Sequence, residues 1–115
     1  LVPLIFDQIE QGILSGVTST LTLAEILTAP ARVATQALHD YELYLTNFPN
    51  LQLIAPGIEI ARLTAHVRAS TGLKTPDAIQ VATAHYAGAD LIISNDKKWR
   101  TKILKPALLL LADYG

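Results

Sequence analysis

Glu25, Asp77 and Asp96 are the residues of this sequence whose types and placement could do chemistry together. Glu25 follows Gly16-Val17-Thr18-Ser19-Thr20, a β-branched run bounded by glycine that reads as a strand. Asp77 falls in the first turn of a helix opened by Thr75-Pro76, and Asp96 comes directly behind the apolar run Leu91 to Ser94. Ligands of open parallel sheets bind beyond the carboxyl ends of the strands, where helix N-termini also point. Convergence there would place three carboxylates in one small volume. They would repel one another unless a cation neutralised them. Oxygen-only donors select hard divalent ions, Mg²⁺ or Mn²⁺, which keep several of their waters. Water on such an ion deprotonates more easily and can attack a phosphodiester phosphorus, while the ion offsets charge on the transition state.

Each acid also has a purely structural reading. Thr22-Leu23-Ala24-Glu25 fits a capping box. Asp77, just inside an N-cap at Thr75 and a first-turn Pro76, complements the helix dipole. Asp96 could cap the helix that runs through Trp99. The coincidence of all three at strand and helix ends is what favours a site.

Charge is distributed in the same sense. Through residue 96 the chain has nine acids against the four bases Arg32, Arg62, Arg68 and Lys74. Beyond it, Lys97, Lys98, Arg100, Lys102 and Lys105 stand against Asp113 alone. A charge run is commonly a solvated face. Abutting Asp96, this one could hold a phosphate backbone.

The elements that must position these residues alternate. Apolar residues from Leu4 to Ile13 repeat at helical spacing. After the strand at 16–20, a helix opened by Thr22 is expected to stop near Leu27 as Pro30 approaches, and a second to run from Arg32 to Leu45. Asn47-Phe48-Pro49-Asn50 breaks it before a strand at Leu51 to Ile54. Helices at 58–69 and 75–87 follow. Leu91-Ile92-Ile93 then reads as a strand buried on both faces, and after a further helical stretch Ala107 to Leu111 reads as another. The pattern predicts a single α/β domain over residues 1–115, three-layered (α/β/α) around a mainly parallel sheet.

Composition excludes several alternatives. Half of the 115 residues are hydrophobic and 17% charged, which rules out a disordered chain. The longest purely apolar run, Ala107 to Ala112, is far short of the roughly twenty residues a spanning helix needs. The absence of Cys removes disulfides and thiolate metal sites. No basic segment precedes an apolar stretch, so nothing suggests secretion and the cytoplasm is the expected compartment. His39, His66 and His85 are scattered mid-helix and form no ligand pair, while Ser19 and Ser94 have no histidine nearby. The six glycines are isolated, so there is no phosphate-binding loop. Trp99 and Tyr114 could stack a base but read as packing anchors.

Three blocks carry a family resemblance: Ser19-Thr20-Leu21-Thr22-Leu23-Ala24-Glu25-Ile26-Leu27, Lys74-Thr75-Pro76-Asp77-Ala78-Ile79-Gln80-Val81-Ala82-Thr83-Ala84, and Ala89-Asp90-Leu91-Ile92-Ile93-Ser94-Asn95-Asp96-Lys97-Lys98-Trp99. Together they resemble the downstream signature blocks of PIN-domain nucleases, and among these the VapC-type toxins of prokaryotic toxin–antitoxin pairs. The resemblance implies a Mg²⁺- or Mn²⁺-dependent endoribonuclease with Glu25, Asp77 and Asp96 as metal ligands. It places Ser94, where the family usually has Thr, as the hydroxyl that positions the site. It implies RNA contacts from Lys74, Lys97 and Lys98, a cognate antitoxin that occludes the site, and self-association as a homodimer. The family's first strand, with its own Asp, has no counterpart, since Asp7 lies in a helical stretch. By family comparison roughly 20–25 residues belong before Leu1. Without that central strand the expectation is that these residues do not fold stably alone as the family's sheet. A different reading of the same gap is a non-catalytic PIN-like binding module.

Overall fold

The computed structural model describes residues 2–94 and 107–110. In chain order the elements are α1 (Val2–Glu10), β1 (Gly16–Ser19), α2 (Thr20–Val33), α3 (Thr35–Thr46), β2 (Leu51–Ile54), α4 (Ile58–Thr71), α5 (Thr75–Tyr86), β3 (Leu91–Ser94) and β4 (Ala107–Leu110). The fold is α/β with parallel strands, as the alternation predicts. Its hydrogen bonding is divided: β1 pairs with β2 from Gly16↔Leu51 to Ser19↔Ile54, and β3 pairs with β4 from Leu91↔Ala107 to Ser94↔Leu110. Among the described residues the two sheets share no ladder.

Local chemistry sets the boundaries. Asn50, in the left-handed region at φ 61°, donates from Nδ2 to the Ile9 carbonyl at 2.9 Å and so ties the end of α1 to the start of β2. Gly16 permits that close approach, because a Cβ there would lie 2.9 Å from Leu51 Cδ1 and 3.1 Å from Ile9 Cδ1. Gly72 ends α4 at φ 72°, its N–H bonded to the Arg68 carbonyl.

The main core lies where α4 and α5 pack together and meet β3. Leu73, Ala78, Val81, Ala84 and Ile92 form one buried cluster. The two buried threonines are satisfied within their own helices: Thr64 donates to the Ile60 carbonyl and Thr83 to the Ile79 carbonyl, each at 2.7 Å. A smaller cluster centres on buried Phe48, with the rings of Phe6 and Tyr44 edge-on at 5.6 and 5.5 Å.

Four expectations are corrected. Helix α2 does not stop before Pro30 but runs through it to Val33, and α3 begins at Thr35 rather than Arg32. Pro30 removes only one N–H, near the end of a helix with no buried residues, and the chain turns at the extended residue Ala34 instead. No capping box forms at Thr22, because Ser19 at the end of β1 is already the cap, its Oγ accepting the Leu21 N–H at 3.0 Å. Lys74, not Thr75, precedes the first turn of α5, since the Ala78 N–H reaches back to the Lys74 carbonyl at 2.9 Å. Lastly, β3 is not covered on both faces: Ile92 is 8% exposed, but Leu91 and Ile93 are 46% and 40% exposed. The α5 cluster covers only the face that Ile92 shares. The further helical stretch expected between Ser94 and Ala107 lies outside the described residues.

Candidate metal centre

Strand β1 feeds into α2 with no intervening loop, so the first turns of α2 stand at the carboxyl end of that strand. Ser19 makes the junction possible. It is completely buried, and its hydroxyl caps the helix that starts beside it. Glu25 therefore sits in the second turn of α2, exposed and free of any capping duty. Asp77 sits in the first turn of α5, half-buried, and α5, unlike α2, has no side-chain cap bond. The two structural explanations that these acids had in the sequence are thus weakened in one case and narrowed to the helix dipole in the other.

A chain of polar side chains joins the two helices. Gln80 donates from Nε2 to Thr22 Oγ1 at 2.8 Å, and the Thr22 and Thr18 hydroxyls lie 2.7 Å apart. Thr22 precedes Glu25 by three residues and Gln80 follows Asp77 by three, so each partner shares a helix face with a carboxylate. The bond therefore ties α2 to α5 within one helical turn of Glu25 and of Asp77. The linkage was missed in the sequence. Its only signal is Gln80 itself, an amide set among Ala78, Ile79, Val81 and Ala82, where burial demands a hydrogen-bond partner.

The other expected residues divide in two groups. Lys74 is exposed, directly before α5 and three residues from Asp77. Ser94 ends β3. Asp96, Lys97, Lys98, Arg100, Trp99 and Tyr114 lie outside the described residues. His39, His66 and His85 are exposed and on three different helices, which agrees with their reading as ordinary histidines. Among the described residues no group of three or more potential metal ligands comes together. The donors that are described near the helix tie are carboxylate, hydroxyl and amide oxygens, with no sulfur in the chain, and that chemistry suits a hard divalent ion.

The sequence model of the PIN domain matches residues 5–102. The chain belongs to the PIN domain family. That span contains every carboxylate of the candidate site in this PIN domain, including Asp96. Solved structures agree on the fold. The chain is similar to one in a toxin–antitoxin complex from Klebsiella pneumoniae, at 22% identity and a TM-score of 0.56 over 79% of this chain and 73% of that one. It is also similar to a chain of VapBC2 from Rickettsia felis bound to a DNA fragment from its promoter, at 13% identity and a TM-score of 0.63, covering 84% and 74% respectively. No curated protein sequence matches the PIN domain described here. No helix among its described residues is long and apolar enough to cross a membrane.

Proposed function

We propose that this PIN domain is a Mg²⁺- or Mn²⁺-dependent endoribonuclease of the VapC type, the toxin of a toxin–antitoxin pair acting in the cytoplasm. The observation that carries the reading is the family match over residues 5–102, joined to the tie between the two helices that bear Glu25 and Asp77. Glu25, Asp77 and Asp96 would hold the metal directly or through water, and Ser94 would position the site. When bound, the ion supplies an activated water and charge neutralisation at phosphorus. Lys74, Lys97 and Lys98 bind RNA phosphates and set the register of the strand. A cognate antitoxin covers the site, a partnership supported by the two complexes to which the fold is similar. The toxin pairs with a second copy of itself.

The divided sheet supports a further part of this reading. Helix α5 packs on β1 and, through Ala78, Val81 and Ala84, on Ile92 of β3. A helix is about 10–12 Å across, and neighbouring strands lie about 4.8 Å apart. Helix α5 thus bridges two strands that do not pair with each other among the described residues. A strand inserted between them would satisfy the facing edges of both. Left unpaired and buried, each edge group costs roughly 1–3 kcal/mol.

The test is cleavage of RNA by the full chain. Mg²⁺ or Mn²⁺ supports it, EDTA abolishes it, and Asp77→Asn and Asp96→Asn each lower it by roughly 100-fold or more, the scale of a single electrostatic contributor. Robust cleavage in EDTA, or an active Asp96→Asn, would sink the nuclease assignment. Replacing Lys97 and Lys98 with Ala flattens the salt dependence of RNA binding by about one in slope for each lost contact. If no RNA is cleaved and the antitoxin still binds, the domain is the non-catalytic binding module instead.

A further inference from the structure

The structure assigns Gln80 and Thr22 as positioning residues that hold the Glu25 helix to the Asp77 helix, and so fix the spacing of the two carboxylates for a divalent ion. The inference rests on the metal-dependent reading above and adds to it two residues that touch no ion or substrate.

The two helices are anchored differently. Asp77 belongs to α5, which is held by the buried side chains Ala78, Val81, Ala82, Thr83 and Ala84. Glu25 belongs to α2, which has no buried residue at all. Leu21, Leu23 and Leu27 of α2 are only half-buried, so polar contacts weigh more in placing Glu25 than in placing Asp77. Those contacts are few. The Ser19 cap fixes where α2 starts, and the Thr18–Thr22–Gln80 chain fixes how it lies against α5. The Gln80–Thr22 bond spans 58 residues of sequence, whereas the other side-chain bonds of α2 are local.

Gln80 donates an amide hydrogen to Thr22 Oγ1, and the Thr22 and Thr18 hydroxyls share a further bond in which either can donate. All three side chains are partly buried, so losing one partner leaves another poorly solvated. A carboxylate pair must match the ion to within tenths of an ångström, since Mg²⁺ demands near-octahedral geometry. A tether one turn from each carboxylate constrains that match while staying outside the coordination sphere.

The test reads metal affinity rather than activity. Mn²⁺ binding to the full chain is followed by water proton relaxation, with far-UV circular dichroism to confirm folding. Thr22→Val removes the hydroxyl at constant shape, Thr22→Ser keeps it, and Gln80→Leu removes the amide. Thr22→Val and Gln80→Leu are expected to weaken Mn²⁺ binding by roughly tenfold each, the low end for groups that support metal ligands from outside. Thr22→Ser stays near the parent, and the double variant Thr22→Val/Gln80→Leu is no worse than the weaker single one. If Gln80→Leu fails to fold, the Thr22→Val and Thr22→Ser pair still decides. Unchanged Mn²⁺ affinity in folded Thr22→Val overturns the positioning role. Asp77→Asn separates the two levels: if it weakens binding while Thr22→Val does not, the metal site stands and only the tether falls. If Asp77→Asn also binds Mn²⁺ as the parent does, the metal site itself is wrong.

Discussion

Two helix pairs of this molecule are built on opposite terms. The α4–α5 pair buries Ile60 and Thr64 from one helix and five consecutive-turn residues from the other, and closes at Gly72 with a left-handed cap. The α2–α3 pair turns at Ala34 and packs together through residues that are at most half-buried, with none fully buried in either helix. Tyr41, Leu43 and Tyr44 of α3 are exposed, and Val33 at the end of α2 is 81% exposed. The candidate site draws one acid from each pair. One candidate acid is thus seated on the packed core and the other on a more exposed arm. Helix stability in proteins comes mainly from packing of an apolar face, so the arm depends on its cap and its tether far more than α5 depends on any single polar bond.

The largest expected contrast is between the core of the α4–α5 pair and the exposed end of α2. Val81→Asp places an unpaired carboxylate among Leu73, Ala78 and Ile92, at a cost of several kcal/mol. Against a typical net stability of about 5–15 kcal/mol, this should abolish the cooperative urea transition. Val33→Ala, at an exposed position, should change stability by less than about 0.5 kcal/mol. A severe effect of Val33→Ala would mean that α2 is packed more firmly than its exposure suggests.

Next in size is the difference in local opening. Native-state hydrogen exchange should find the amides of α5 opening only with the whole domain, and those of α2 and α3 opening at a free energy lower by roughly 2 kcal/mol or more. Equal opening energies would erase the distinction between the pairs. Smaller again is the effect of the cap. Ser19→Ala removes the Leu21 N–H acceptor at the start of α2 and should cost about 1–2 kcal/mol. Its imprint on exchange should be confined to α2, with α5 unaffected by comparison.

The contrast also explains what could be read from the sequence. Strands β1, β2, β3 and β4 and helices α1, α4 and α5 were legible because short-range chemistry fixes them: β-branched runs, apolar periodicity, and Gly72 or Asn50 at their ends. The α2–α3 arm was not, since Pro30 signalled a stop that the exposed end of a helix does not have to obey. Of the candidate site, the positions of Glu25 and Asp77 in the early turns of α2 and α5 were legible. The Gln80–Thr22 bond was not, because it depends on how α2 lies against α5 and that is decided by tertiary packing. The exposed face of β3 escaped for a related reason. A run such as Leu91-Ile92-Ile93 states that at least one face is buried but not how many layers cover it.

Pro30 offers the finest test of the comparison. It lies in the last turn and a half of α2, and its missing N–H leaves the Ile26 carbonyl without a helical donor. In the interior of a helix, proline costs about 3 kcal/mol relative to alanine. Here the loss is softened because α2 is exposed and the freed carbonyl can turn to water, while proline also restricts the unfolded chain by an amount worth about 0.4–1 kcal/mol. Pro30→Ala should therefore leave the global urea midpoint nearly unmoved and slow exchange of the α2 amides by roughly fivefold, equivalent to about 1 kcal/mol. If the arm is held to α5 by Thr22 and Gln80, a stiffer α2 should also depend less on that tether, and the Mn²⁺ affinity lost in Thr22→Val should be partly recovered in the Pro30→Ala background. A global gain approaching the full interior value of about 3 kcal/mol would show the opposite, that α2 unfolds only with the core and that the two helix pairs form one cooperative body.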